Sequence, residues 1–321
     1  MPLSDGATTA VSVCMGVKPR ESVLVITDEG KQAIGQAIFD AAREITENVL
    51  LVIMPNTPQH GAEPIRMVRD LMKDANVIFA PTTHSLTHTR ARRLAMKAGA
   101  RVATMPGITD EMMSGGGMTA DFQEIQKRIR KVHTRLKGKK TIDITSDEGT
   151  NLTFSIERRK WILEDTGICR KKGTFTNLPA GEIFIAPVEE SANGKLVVDG
   201  SFNGLLEKPV TVTIEDGFAT TFSGKEHKRI EQLLSDSSVK LKDPQIAYNV
   251  GKFGIGMNPR SKIIGNVLED EKTLGTIHIG FGGNFTMGGK VQAGIQTEGV
   301  IRNPTVYADD LLIISNGELQ I

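Results

Sequence analysis

Ser22-Val-Leu-Val-Ile-Thr27 is a continuous apolar and β-branched run, the mark of a strand covered on both faces. The segment after it changes period. Ile34, Ile38, Ala41, Ala42 and Ile45 fall on one side of a helix over residues 33–44. Val49-Leu-Leu-Val-Ile-Met54 repeats the buried-strand signal and Pro55 stops it. Pro64 suits the first turn of a helix, and Ile65, Val68, Leu71 and Met72 follow at helical spacing. Val77-Ile-Phe-Ala80, a helix over 91–98 and the short strand Arg101-Val-Ala-Thr104 continue the alternation. Strands alternating with helices predict parallel pairing and a doubly wound α/β domain.

Gly115-Gly-Gly117 breaks the chain, and a basic amphipathic stretch follows from Phe122 to Leu136. Beyond Lys140 the pattern shifts to short β-like runs: Thr141-Ile-Asp-Ile-Thr145, Asn151-Leu-Thr-Phe-Ser-Ile156, Glu182-Ile-Phe-Ile-Ala186 and Pro209-Val-Thr-Val-Thr-Ile214. Gly, Asn and Asp turns separate them, as in antiparallel sheet, and one helix intervenes over 226–234. The expected organisation is an α/β domain over 1–137 and a β-rich α+β domain over 138–321 that carries the active site. A length of 321 residues also exceeds the usual single core.

With 39 Lys and Arg against 38 Asp and Glu, the chain has no whole-protein field to steer nucleic acid or an anionic membrane. The basic run from Lys127 to Lys140 lacks aromatic stacking residues, so it reads as a solvated helix face and linker rather than a nucleic-acid site. No stretch approaches the ~20 apolar residues of a membrane span. Two separated cysteines, Cys14 and Cys169, fit buried thiols in a reducing compartment, which with the absent signal sequence predicts a cytoplasmic protein. The histidines show no HExxH or Cys/His spacing, Asp28-Glu-Gly30 is not a dinucleotide fingerprint, and no GxSxG elbow occurs.

Four carboxy-terminal segments carry a resemblance: Asn177-Leu-Pro-Ala-Gly-Glu182, Asn249-Val-Gly-Lys-Phe-Gly-Ile-Gly-Met-Asn258, Gly275-Thr-Ile-His278 and Gly294-Ile-Gln-Thr-Glu-Gly299. Ser85-Leu-Thr-His-Thr89 with Arg90, Arg92 and Arg93, and Ala103-Thr-Met-Pro-Gly-Ile-Thr109, extend it through the amino-terminal half. Read by themselves, the threonines of the Ser85–Thr89 phrase are a helix cap or, with the arginines, an anion site. Together these phrases resemble the thermophilic metallo-aminopeptidases of the leucyl aminopeptidase, aminopeptidase T, aminopeptidase S and PepS type.

The resemblance implies a homodimer or larger homo-oligomer, a cavity between domains, a peptide substrate and two divalent ions (zinc, cobalt or manganese). Carried across, the ligand positions are Glu182, Lys252, His278, Phe285, Gln296 and Glu298. Glu182, His278 and Glu298 keep ligand chemistry. Lys252 stands where the family has Glu, Gln296-Thr-Glu298 where it has His-x-Asp, and Phe285 near its tyrosine. An ammonium about 4 Å from a divalent ion is repelled by roughly 8 kcal/mol at an effective dielectric of ~20. The expected reading is therefore a diverged aminopeptidase in which Glu182, Lys252 and His278 form the catalytic group, with metal weakened or absent and Lys252 paired to Glu182 or Glu298. Two alternatives accompany it. One is a non-catalytic relative kept for its assembly. The other is a relative of the dihydroxypyridine ring-cleaving dioxygenases, which hold one iron through a His and a His-x-Asp pair. Gln296 disfavours the latter.

Overall fold

The computed structural model describes residues 2–239, 241, 243–292 and 296–320, leaving aside the side chains of Ser237 and Gln296. Two compact units result. The first comprises residues 1–126, 164–181 and 258–262, and the second residues 127–163, 182–257 and 263–321. A single boundary at 137/138 misses both returns of the chain to the first unit, because residues 175–177 join its sheet across a long sequence gap.

The first unit is built on a five-stranded parallel sheet in the order Val49–Met54, Val23–Asp28, Val77–Ala80, Arg101–Thr104, Phe175–Asn177. Every residue of Val23–Asp28 is buried, as its unbroken apolar run requires. Val49–Met54 was expected to be equally covered, yet Leu50 and Ile53 are 48% and 45% exposed. It is the edge strand, so apolar content alone overstates its burial. Helices Gln32–Arg43, Arg66–Leu71 and Arg90–Lys97 occupy the connections. The sequence pattern gave no hint of the helical run from Leu3 to Cys14, whose buried face is made of Ala7, Ala10, Val11 and Cys14. Small residues at that face carry little periodic signal. Both cysteines are buried and free, and burial pushes the Cys14 thiol up.

The second unit holds two antiparallel sheets. The larger has eight strands, ordered Phe218–Ser223, Val210–Glu215, Asn193–Val198, Asn151–Ser155, Thr141–Thr145, Thr305–Ala308, Leu311–Ser315, Glu318–Leu319. The smaller has five, ordered Ser201–Phe202, Gln296–Ile301, Ile277–Gly282, Val250–Gly256, Glu182–Ile185. Register divides the smaller sheet into two faces. Ile185, Phe253 and Ile279 stand in one row and Ile183, Ile255, Ile277 and Ile301 in the next, all on the apolar face. Phe253 meets Phe154 and Trp161 edge-on there, at 5.3 and 6.0 Å between ring centroids. Successive strand residues point to opposite faces, so Glu182, Lys252, His278 and Glu298 share the other one. No helix among the described residues is long and apolar enough to cross a membrane.

Candidate functional site

Three features of the strands bring the charged side chains together. Lys252 pairs with Gly280 in the same unbroken register that runs through Phe253 and Ile255. Alternation with Phe253 therefore places it on the polar face, and the bulge lies on its far side, toward Val250. Lys252 then stands beside Gly280, and Gly280 beside Glu298. With no side chain on the middle strand, Lys252 and Glu298 lean across it and meet. Gly254 stands beside His278 in the same way, and a Cβ there would lie 2.0 Å from the imidazole Nε2. Gly254 therefore makes room for the imidazole, whereas a Cβ at Gly251 or Gly256 would meet the backbone oxygens of Gly282 and Thr273.

Lys252 Nζ lies 3.1 Å from Glu182 Oε2, 2.9 Å from Glu271 Oε2 and 3.0 Å from Glu298 Oε1. Lys272 Nζ lies 2.7 Å from Glu182 Oε1 and 2.8 Å from Glu271 Oε1. His278 Nε2 is 2.7 Å from Glu182 Oε2, but not in hydrogen-bonding alignment, and 3.8 Å from Glu298 Oε2. Glu271, the most exposed of the six, retains 8% of its surface. Glu271 and Lys272 were missed in the sequence. They follow the one-turn helix Val267–Asp270, which Asn266 caps by accepting from Leu268 N–H. The signal was the charged run Glu269-Asp-Glu-Lys272 inside an otherwise glycine-rich, apolar region.

Three carboxylates and two ammoniums would leave one uncompensated negative charge in a dry site, and the carboxyls divide accordingly. Burial and the neighbouring Glu271 oppose ionisation of Glu182, but Lys252, Lys272 and His278 outweigh both and hold it down at about 2. Burial also opposes ionisation of Glu271, yet the two lysines and a hydrogen bond from Glu298 keep it well below the usual range. Burial, then repulsion from Glu271, drives Glu298 well above it, so Glu298 keeps its proton. Burial works against the Lys252 ammonium, but the three glutamates overcome it and raise its value. Burial, then the Lys252 charge, lowers His278, which is a neutral imidazole at neutral pH.

Of the residues expected at the site, Glu182, Lys252, His278 and Glu298 assemble. Phe285 does not: it is 59% exposed in the turn Phe285–Met287. Gln296 begins its strand opposite Gly282, while its side chain, with Gly294 and Ile295 of the same phrase, lies outside the described residues. The Ser85–Thr89 phrase is a helix cap. Thr89 accepts from Arg92 N–H, and Glu63 takes the N–H groups of Arg90 and Ala91 at 2.5 and 3.1 Å, so this chain's own carboxylate fills the expected anion position. Arg92 is buried, stacked 4.0 Å over the Phe175 ring.

The sequence matches the 2,5-dihydroxypyridine 5,6-dioxygenase (NicX) family from residue 6 to residue 321. The chain belongs to that family. A 2,5-dihydroxypyridine 5,6-dioxygenase of Pseudomonas putida is 23% identical over 254 residues, spanning 74% of this chain and 69% of that protein. The solved 2,5-dihydroxypyridine dioxygenase from Pseudomonas putida KT2440 shares the fold at a TM-score of 0.78 and 20% identity, over 99% of this chain and 96% of that one. Wild-type AmpT from Thermus thermophilus also shares it, at a TM-score of 0.71 and 14% identity over 99% of each chain.

Family membership overturns the expectation of a metallo-aminopeptidase. The chain falls with dioxygenases, which are oxidoreductases, and the hydrolase reading and that of an inactive peptidase remnant fall together. The physical reason is visible in the sheet. The phrases 249–258 and 275–278 supply backbone and glycine positions of the smaller sheet, and a fold shared with AmpT shares those whatever the chemistry.

A dioxygenase of this branch implies iron. Glu182, Glu271 and His278 each offer one ligand atom, all within 4.8 Å of one another, a set that could hold a metal ion. As arranged, the set does not fit one. Lys252 Nζ already sits within 3.1 Å of all three carboxylates, and Lys272 takes the remaining oxygens of Glu182 and Glu271. An iron ion among these oxygens would face an ammonium at a distance where repulsion amounts to several kcal/mol.

Proposed function

We propose that this protein catalyses oxidative opening of a dihydroxylated pyridine-type ring, the reaction class for which its family is named, at the buried cluster around Lys252. The match to the family from residue 6 to residue 321 carries this reading. The cluster supports it chemically, because neighbouring titratable groups with opposed shifts mark acid and base roles.

His278 is the base. It stays unprotonated at neutral pH, and the adjacent Glu182 carboxylate, 2.7 Å from Nε2, stabilises the imidazolium formed on accepting a ring hydroxyl proton. Glu298, held neutral, is the acid that returns a proton to the opened product. Lys252 and Lys272 keep Glu182 and Glu271 ionised, so the Glu182 carboxylate stays available to the imidazolium. Removing the hydroxyl protons makes the ring electron-rich. Dioxygen is the oxidant: both of its atoms enter the product as one ring bond breaks, so no separate reductant is consumed.

Oxygen uptake with 2,5-dihydroxypyridine tests the reading, in parallel arms with and without added ferrous ion. One dioxygen consumed per ring lost is expected, with the rate falling on the acid side as His278 protonates below its ordinary value. His278→Asn should lower kcat by about 10²–10⁴-fold, the usual worth of a general base. Absence of uptake in both arms sinks the proposal.

A further inference from the structure

We infer that the Lys252 ammonium is the resident cation of this centre, occupying the place a divalent ion would take, and that this one side chain keeps a latent metal site closed. An ammonium has three N–H donors, and three glutamates receive them. Every carboxylate oxygen of Glu182, Glu271 and Glu298 lies within 3.4 Å of a lysine nitrogen. The backbone is arranged for this occupant. Alternation with Phe253 turns Lys252 toward the glutamates, and Gly280, whose Cβ would stand 3.0 Å from the Lys252 Cβ, leaves the space beside it.

Removing the ammonium would leave Glu182 Oε2, Glu271 Oε2 and Glu298 Oε1 facing one vacated position, with His278 Nε2 at its margin. Carboxylate oxygens with one imidazole suit manganese, cobalt or zinc. The inference is independent of the ring-opening reading, since metal content is measured without turnover.

The experiment compares the full-length protein with Lys252→Ala and Lys252→Gln by cobalt titration, followed through the visible absorption of the bound ion and by elemental analysis after desalting. The wild type should retain well under one cobalt per chain. Lys252→Ala should retain about one, with a gain in affinity of at least about 100-fold from the lost repulsion. Lys252→Gln, which keeps a donor against the carboxylates and guards against a folding failure, should gain less. Adding Glu182→Gln to Lys252→Ala should abolish the gain, which locates the ion. A wild-type chain that retains one tightly bound ion overturns the inference. So do Lys252→Ala and Lys252→Gln chains that take up no more cobalt than the wild type.

Discussion

Asp28 and Glu298 are both buried carboxyl groups on strands, and their surroundings treat them in opposite ways. Asp28 ends Val23–Asp28, beside the point where strand order reverses in the parallel sheet, which is where open α/β sheets commonly bind ligands. Here Thr83 fills that place, its N–H 2.5 Å from Asp28 Oδ2 and its hydroxyl 3.0 Å from Oδ1. Nearby, the hydroxyls of Thr87 and Thr104 both donate to Asn177 Oδ1. Each group there has its partner. On the polar face of the smaller antiparallel sheet, three glutamates share two lysines, Glu298 must keep a proton, and among the described residues His278 has no aligned partner for either ring nitrogen. A polar group that is fully matched stabilises a fold. A cluster whose charges fit only in one protonation pattern is poised for proton transfer.

Lys252→Ala should disturb this contrast most. Breaking a buried ion pair by removing one partner typically costs about 3–5 kcal/mol, and here three carboxylates lose their cation. Urea denaturation should show a loss of that size, partly recovered by cobalt if the vacated site binds it.

The acid limb of stability gives the next effect. Glu182 is held at about 2, below the 4.5 of an ordinary glutamate, so its contribution is complete above pH 4.5 and disappears as pH falls toward 2. A drop of the order of 3 kcal/mol follows from a shift of that size. Glu298, shifted the other way, favours the folded state at low pH and opposes it as pH rises above 4.5. Melting curves of wild type and Glu182→Gln should therefore converge as pH falls from 5 to 2. Parallel curves would place the acid sensitivity elsewhere.

Gly254→Ala should come third. Its Cβ would overlap His278 Nε2, and over-packing of this kind costs about 1–3 kcal/mol. Displacing the imidazole should also lower turnover, so a folded variant with wild-type kcat would remove His278 from the proposed mechanism.

Asp28→Asn should have the smallest consequence. Weakening hydrogen bonds to a charged group costs about 1–3 kcal/mol, and turnover of the folded protein should be unaffected. A large change in kcat would mean that the parallel sheet is not the inert partner in this comparison.

Much of the architecture was legible in one-dimensional pattern. Val77–Ala80, Arg101–Thr104 and Phe122–Leu136 stand where hydrophobic period places them. Phe122, Ile125, Ile129, Val132 and Leu136 recur at helical spacing on a buried face. Burial of Val49–Met54 was not legible, because an edge strand and a central strand can share composition. Four of the site residues could be named from phrases that mark the fold. Their chemistry could not be, because those phrases belong to a backbone that AmpT shares at 14% identity.

By itself, the sequence determined the alternation of strands and helices in the first unit, the short turn-divided strands of the second, and the glycines at 254 and 280 that a crowded sheet face needs. Only the tertiary structure decided that Glu271 and Lys272 join Glu182, Lys252, His278 and Glu298. Four strands and the end of a one-turn helix supply them from a span of more than a hundred residues, and strand register sets which side chains meet. Protonation follows from that meeting. A carboxyl group reads the same in any sequence, and its charge depends on how many cations lie within about 3 Å once water has been excluded.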